Sequence, residues 1–168
     1  VRIIESGQHL LAIINDILDY SKIEAGKLSV ERIGFDPGHV IDSAVTLTAE
    51  RAFSSGLDFR VIEEPLPIHC EGDPLRLSQV LVNLLGNAIK FTECGSITLD
   101  ARVENDMLRL QISDTGIGMS PEQIGRLFQP FEQADGSTTR RFGGTGLGLS
   151  ISAHIVEAMS GSIQVHST

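Results

Sequence analysis

The chain has 168 residues, of which 41% are hydrophobic, so it suits one globular domain with room for a short additional segment. Its 22 acidic and 13 basic residues give a formal net charge of −9, which argues against nucleic acid as a partner, because phosphate-backbone binders need a basic surface. No apolar run approaches the roughly 18 to 20 residues that span a bilayer, so we expect no membrane contact from these residues.

The first predicted element is a long helix over residues 1 to about 25. Apolar side chains recur there at helical spacing, and Gly26 follows where a left-handed cap is expected. The apolar stripe is too wide for a surface helix, so it predicts packing either on the helix's own domain or within a helical bundle. The stripe consists of Ile3, Ile4, Leu10, Leu11, Ile13, Ile14, Ile17 and Leu18.

Two further helices are predicted to start at Asp-Pro pairs. Asp36 and Asp73 are each followed by proline, which suits an N-cap and the first helical position. The first of these helices is expected to end near Ser54 and the second near Phe91. The other segments of this part are an extended linker at 27–36, a strand at 57–62, a proline-rich turn at 65–67 and a short apolar piece at 68–70.

A β-hairpin is predicted where two alternating segments, 96–103 and 107–113, flank Glu104-Asn105-Asp106. Ser120-Pro121 with Gln123 then predicts a helix start that is close to a capping box, and a last helix is expected from about Thr145 to Met159. Because helices and an antiparallel hairpin are mixed, we predict an α+β fold. It is an α/β sandwich with a mixed sheet and helices on one face, preceded by the long helix.

A polar row lies on the helix that starts after Asp73. Asn83, Asn87 and Lys90 stand at i, i+4 and i+7, so they share one face. Two amides and an ammonium suit a Mg²⁺–phosphate cluster, since magnesium prefers oxygen ligands together with phosphate oxygens. The alternative is an ordinary solvated face. The predicted buried stripe of the same helix is Leu77, Leu81, Leu84, Leu85 and Ala88.

The first of two glycine-rich clusters begins with Asp114, directly after a predicted strand. A carboxylate at that position can accept a hydrogen bond from the exocyclic amine of adenine, whereas guanine would present a carbonyl. Gly116 and Gly118 would let the purine ring pack against the backbone. The alternative is a common Asp-Thr-Gly turn.

The second glycine-rich cluster spans 143–148 and leads into the last predicted helix. Free backbone N–H groups at such a helix start can receive phosphates, and Arg140 and Arg141 could add positive charge. The cluster is not a P-loop, because no Gly-x-x-x-x-Gly-Lys-Ser/Thr is present, and it does not follow a strand as a dinucleotide fingerprint would. The three motifs together predict a nucleotide pocket.

Four motifs in this order resemble those of the sensor histidine kinases of two-component systems, especially the hybrid type, with their Bergerat-fold ATP-binding catalytic domain. The segment 73–92 resembles the N box and Asp114 to Gly118 the adenine-binding glycine box. Phe128 to Phe131 resembles the F box that begins the ATP lid, and Gly143 to Leu149 the glycine box that closes it.

The resemblance implies ATP and Mg²⁺ as cofactors and assigns roles to individual residues. Asn87 is expected to ligate Mg²⁺, with Asn83 as a candidate second ligand, and Asp114 to hold adenine. The lid from about Phe128 to Thr145 is expected to move. The implied ATP site consists of Asn83, Asn87, Lys90, Phe91, Asp114, Gly116, Gly118, Arg141, Gly144, Thr145, Gly146, Leu147 and Gly148.

By the same resemblance, residues 1–28 are the second helix of a dimerisation and phosphotransfer hairpin, and residues 29–168 are a C-terminally truncated catalytic domain. The first hairpin helix, with its phosphoacceptor histidine, is absent. His9 lacks the following Glu, Arg and Pro of the family's pattern, so we expect no catalytic residue here and no autophosphorylation by the chain alone.

The expected partners follow from the resemblance as well. They are ATP, a second copy in the full-length homodimer, and the receiver domain of a response regulator. We expect a cytoplasmic location, and the resemblance leaves open whether the full-length protein is anchored in the inner membrane.

Two other functions fit the same fold. The gyrase-type, mismatch-repair and chaperone ATPases place a glutamate where this chain has Asn83, because a general base must activate water. Asn83 cannot take a proton in that way, which favours a kinase. A degenerate module that binds nucleotide without transferring phosphate is the other alternative.

Overall fold

A computed structural model provides the structure of the protein, and it describes residues 2–67, 69–132 and 145–167. The contacts group the chain into two compact units. The first unit consists of residues 1–30 and 120–166, and the second of residues 31–119 with the last two residues. Helix α1 therefore groups with the C-terminal part of the chain.

The secondary structure of the described residues is mixed. The helices are α1 (Arg2–Glu24), α2 (Pro37–Ser54), α3 (Pro74–Phe91), α4 (Pro121–Arg126) and α5 (Gly148–Ala158). The strands are β1 (Ile33–Phe35), β2 (Asp58–Glu63), β3 (Cys70–Gly72), β4 (Ser96–Glu104) and β5 (Met107–Asp114). Within the described residues, no helix combines the length and the apolar character needed to cross a membrane.

The second unit contains a mixed three-stranded sheet in the order β2-β4-β5. Strand β2 runs parallel to β4, and β5 returns antiparallel to β4 through a tight turn. Asn105 and Asp106 both have positive φ, as a two-residue hairpin turn requires. The predicted hairpin is therefore confirmed. Strands β1 and β3 form a separate antiparallel pair, so the predicted linker at 27–36 ends in a short strand.

The core of the second unit lies between this sheet and helices α2 and α3. Ile97, Leu99 and Ala101 alternate along β4 and are fully buried, while the intervening residues are polar and half-buried. The apolar residues of both helices cover the same face of the sheet, so helices on one face are confirmed for this unit. The helical part of the core consists of Val40, Ile41, Ala44, Ala52, Leu81, Leu85, Ala88 and Ile89.

Helix α3 differs from its predicted buried stripe in four positions. Leu77 and Leu84 are only half-buried, whereas Val80 and Ile89 are buried although they were not predicted to be. Apolar spacing alone locates the buried face of a helix only to within about one position, because one turn contains 3.6 residues. The predicted start of the helix is confirmed, since Asp73 accepts a hydrogen bond from the backbone N–H of Arg76 at 3.0 Å.

The first unit contains α1, α4 and α5. Helix α1 ends as predicted, with Gly26 at a φ of +62°. Ser120 and Gln123 form the predicted capping box at the start of α4. Five members of the predicted apolar stripe are exposed on α1, namely Leu10, Leu11, Ile14, Ile17 and Leu18, while the side chains of Ile3 and Ile4 lie outside the described residues.

Helix α5 begins three residues later than predicted. Gly146 has a φ of +71°, a left-handed conformation that cannot continue a helix, so the helix starts at Gly148 instead of near Thr145. The C-terminal residues 161–167 alternate between half-buried and exposed positions, but the structure assigns no strand there.

Candidate ATP-binding site

The predicted polar row is present on α3. Asn83, Asn87 and Lys90 lie on one face of this helix, and all three are half-buried. Burial lowers the pKa of Lys90, and its Nζ lies 4.8 Å from the centre of the Phe91 ring. The row is thus not a fully solvated face, and a partly desolvated ammonium gains more from an anion than an exposed one does.

Asp114 occupies the last position of β5, and its loop is tied to the end of α3. The backbone N–H of Ile117 donates to the carbonyl oxygen of Phe91 at 3.2 Å. A Cβ atom on Gly116 would come within 2.5 Å of the same oxygen, so only glycine fits between them. The structure therefore brings Asp114, Gly116 and Phe91 together, as predicted from two separate motifs.

The carboxylate of Asp114 is exposed and also shapes its own loop. Its Oδ1 accepts from the backbone N–H of Gly116 at 2.8 Å. Thr115 fixes the other side of the turn, because its Oγ1 accepts from the backbone N–H of Ser96 at 3.0 Å. The Asp-Thr-Gly turn and an adenine contact are compatible, since a carboxylate has about four acceptor positions and this turn uses one.

Four of the predicted site residues, Thr145 to Gly148, lie in the first unit. The Thr145 hydroxyl accepts from the backbone N–H of Leu147 at 3.2 Å and donates to Asp16 Oδ2 at 3.0 Å. Asp16 belongs to α1, which means that α1 holds the segment leading into α5. Leu147 is almost fully buried, whereas Gly148 is half-buried at the first turn of the helix.

Phe131 contacts the same segment from the other direction. Its backbone N–H donates to the carbonyl oxygen of Gly146 at 3.1 Å, and a Cβ atom on Gly146 would come within 3.0 Å of the Phe131 backbone. Phe131 has a φ of +63°, which is strained for a residue other than glycine. Its ring packs edge-on against Tyr20, with the ring centres 5.6 Å apart.

The pKa of Asp16 is raised, mainly because burial disfavours its charge. The hydrogen bond from Thr145 acts in the opposite direction, and the charge of Asp19 adds to the rise. Sequence reasoning missed Asp16 and Tyr20. Asp16 and Thr145 are 129 positions apart, and no spacing rule links such residues.

Two predicted site residues, Arg141 and Gly144, lie outside the described residues, as does most of the predicted lid. Phe128 is half-buried and Phe131 is 65% exposed. Sequence reasoning also missed Thr92, which follows Phe91. Its Oγ1 is buried and has no hydrogen-bond partner among the described residues.

Comparisons with known proteins identify the family of the chain. Residues 72–168 match the family model described as histidine kinase-, DNA gyrase B-, and HSP90-like ATPase. The signal transduction histidine-protein kinase BarA of Escherichia coli K12 is 49% identical over 170 residues, which cover 96% of this chain and 18% of BarA. The chain spans about a fifth of the length of the curated relatives it matches.

Two solved structures are similar over nearly the whole chain. Full-length ShkA in complex with AMPPNP superposes with a TM-score of 0.80 at 34% identity, covering 93% of this chain and 32% of ShkA. Histidine kinase ThkA in complex with the response regulator protein TrrA superposes with a TM-score of 0.71 at 26% identity, covering 95% of this chain and 43% of the matched chain. The predicted α+β Bergerat-type fold is thereby confirmed. The chain belongs to the family of histidine kinase-, DNA gyrase B- and HSP90-like ATPases, and it is the ATP-binding catalytic domain of a two-component sensor histidine kinase.

Proposed function

We propose that this chain binds Mg²⁺-ATP and presents the γ-phosphoryl group for transfer to a histidine on a helical hairpin. The observation that carries this proposal is the shared face of Asn83, Asn87 and Lys90 on α3, next to the Asp114 loop that is tied to the end of the same helix. Helix α3 thus supplies amide oxygens and a cation, and the loop that is tied to its end supplies the purine contact.

Asp114 recognises adenine in this proposal. Its exposed carboxylate accepts a hydrogen bond from the exocyclic amine, and such a charge-assisted bond contributes about 1.5–3 kcal/mol. Guanine presents a carbonyl oxygen there and is repelled. The preference for adenine is then roughly tenfold to a hundredfold.

Asn87 ligates Mg²⁺ in the same proposal, with Asn83 as the second candidate ligand. Two amide oxygens cannot fill six positions, but Mg²⁺ typically keeps several waters and takes its remaining ligands from phosphates. The donor set on α3 fits this behaviour. The ammonium of Lys90 adds charge toward the phosphates, and binding them would oppose the lowering of its pKa by burial.

The start of α5 receives phosphate oxygens. The half-buried Gly148 lies at the first turn of this helix, where backbone N–H groups lack partners within the helix. Thr145, Gly146 and Leu147 lead into this turn, and Arg141 and Gly144 complete the set that we propose. Phosphoryl transfer then depends on positioning and electrostatic stabilisation, because the protein has little covalent chemistry to perform.

The proposed function of the whole protein extends beyond this chain. We place residues 1–28 in the second helix of the hairpin and residues 29–168 in the catalytic domain. The exposed apolar side chains of α1 support pairing with other helices, including those of a second copy. A response regulator receiver domain is the proposed phosphoryl acceptor downstream, by similarity to the ThkA–TrrA complex, and we propose a cytoplasmic location.

Calorimetric titration tests the proposal. The wild-type chain and the Asp114→Asn variant are titrated with a non-hydrolysable ATP analogue and with GTP, each with and without Mg²⁺. We expect magnesium-assisted, adenine-selective binding that weakens by about 1.5–3 kcal/mol in the variant. Equal affinity of the variant and the wild type for the ATP analogue would contradict the role of Asp114, and no binding at all would favour a degenerate module.

A further inference from the structure

Helix α1 contacts Thr145, in the segment that precedes α5, and it also contacts Phe131, which is hydrogen-bonded to that segment. Asp16 accepts a hydrogen bond from the hydroxyl of Thr145, and Tyr20 packs against the ring of Phe131. Asp16 and Tyr20 are four positions apart and so lie on the same face of α1. The Tyr20 hydroxyl in turn donates to Glu24 at 3.2 Å, one further turn along this face.

The two contacted residues are themselves joined. Phe131 and Gly146 share a backbone hydrogen bond, and Gly146 follows Thr145 directly. The four residues Asp16, Tyr20, Phe131 and Thr145 therefore form one connected cluster, which we call the α1 clasp. Every member belongs to the first unit.

Asp16 accepts from Thr145 the hydrogen bond that a phosphate oxygen would otherwise accept. The Thr145 hydroxyl has one proton to donate, and here it donates to a carboxylate, which is an anion like the phosphate. The same hydroxyl accepts from the N–H of Leu147 at the approach to the helix start. A phosphate oxygen that approaches this helix start meets a carboxylate that already accepts the Thr145 hydrogen bond and that repels a second anion.

The clasp is also only weakly favoured in its charged form. Burial and the neighbouring Asp19 raise the pKa of Asp16 by more than the Thr145 hydrogen bond lowers it. When α1 moves away, the carboxylate regains its solvation, which offsets part of the cost of losing the Thr145 hydrogen bond. Asp16 is therefore suited to release Thr145 when α1 moves.

We propose that Asp16 is an autoinhibitory competitor for nucleotide phosphate, which links the position of α1 to the affinity of the ATP site through the α1 clasp. The inference rests on the proposed function, because it takes Thr145 as a phosphate contact. While Asp16 holds Thr145, ATP binds more weakly, and displacement of α1 frees the hydroxyl for the phosphates.

The decisive experiment compares Asp16→Asn with wild type in titrations with a non-hydrolysable ATP analogue and with adenosine. The amide retains an oxygen acceptor of the same shape but carries no charge. We expect affinity for the ATP analogue to rise about twofold to fivefold, which corresponds to removing one charge near a helix N-terminus. Affinity for adenosine, which has no phosphate, should not change. Unchanged or weaker binding of the ATP analogue, or an equal gain for adenosine, would overturn the proposal.

Three further variants separate the possible outcomes. Asn15→Ala is the matched control, because Asn15 is exposed on the same helix and should leave both affinities unchanged. Thr145→Val tests the underlying site and should weaken the ATP analogue alone. If wild type binds no ATP analogue, the proposed function fails, whereas a loss in Thr145→Val with no gain in Asp16→Asn refutes the clasp only. Should Asp16→Asn not fold, Tyr20→Leu loosens the second contact and is judged by the same two affinities.

Discussion

The two compact units, each taken by itself, hold their proposed nucleotide contacts in different ways. In the second unit, the polar face of α3 and the Asp114 loop stand on a core of fully buried residues such as Leu85 and Leu99. In the first unit, Thr145 and Phe131 are held by one hydrogen bond and one ring contact from α1. The proposed base and metal contacts thus stand on that core, whereas Thr145, a proposed phosphate contact, is also held by a hydrogen bond to Asp16 of α1.

This difference indicates where affinity is fixed and where it can be adjusted. A close-packed core tolerates little movement, so residues on α3 keep their geometry whether or not nucleotide is present. A half-buried polar contact exchanges at low cost, so the start of α5 can respond to α1. The predictions that follow test this contrast between the two units.

Gly116→Ala should have the largest effect, because it forces apart the Asp114 loop and the end of α3, which both stand on the core. The added Cβ would lie 2.5 Å from the Phe91 carbonyl oxygen and 2.7 Å from Asp114 Oδ1. We expect a loss of about 1–3 kcal/mol in the free energy of unfolding, which chemical denaturation measures, together with loss of adenosine binding.

The matched control for this substitution is Gly125→Ala. Gly125 is exposed in α4, and no atom lies within 4 Å of its added Cβ. Alanine should therefore leave stability unchanged or raise it slightly, since it forms helix better than glycine. Equal effects of the two substitutions would show that the Asp114 loop is not rigidly tied to α3.

Asn87→Ala tests the proposed metal contact on α3. We expect affinity for Mg²⁺-ATP to fall roughly tenfold or more, whereas affinity for ADP without metal should change little, because the lost ligand belongs to the metal. Titrations with and without Mg²⁺ measure both values. Equal losses for the two nucleotides would contradict the assignment of Asn87 as a magnesium ligand.

Thr92→Val should stabilise the second unit. The Thr92 hydroxyl is buried without a partner in the described part of the chain, and valine has nearly the same shape. Removing the unpaired hydroxyl should raise the free energy of unfolding by about 1 kcal/mol. Thr48→Val is the control, since Thr48 is equally buried but donates to the Ala44 carbonyl at 2.7 Å, so stability should fall. A loss in both variants would mean that Thr92 has a partner.

The sequence predicted those parts of the molecule that local rules control. The Asp-Pro caps, the turn at Asn105-Asp106 and the polar row on α3 each depend on residues within about one or two helical turns of one another. The position of Asp114 beside Phe91 was predicted only through motif order. Contacts such as Asp16 with Thr145 follow from the packing of distant segments, which periodicity does not encode. The late start of α5 depends on the backbone angle of Gly146, which is compatible with several conformations.

The smallest effect, and the last test of the contrast, is the pH dependence of the α1 clasp. The pKa of Asp16 is raised above its ordinary value of 3.8, so between that value and its folded-state pKa the folded chain binds more protons than the unfolded chain. Stability from this group is therefore present at low pH and is lost as the pH rises through the folded-state pKa. Asp16→Asn should remove this pH dependence, because the neutral amide resembles the protonated carboxyl at every pH. The variant should therefore match wild type at acidic pH and be slightly more stable at neutral pH. Melting temperatures across pH 4 to 7 measure the difference, and a variant that is less stable at neutral pH would show that the charged form of Asp16 holds the first unit together.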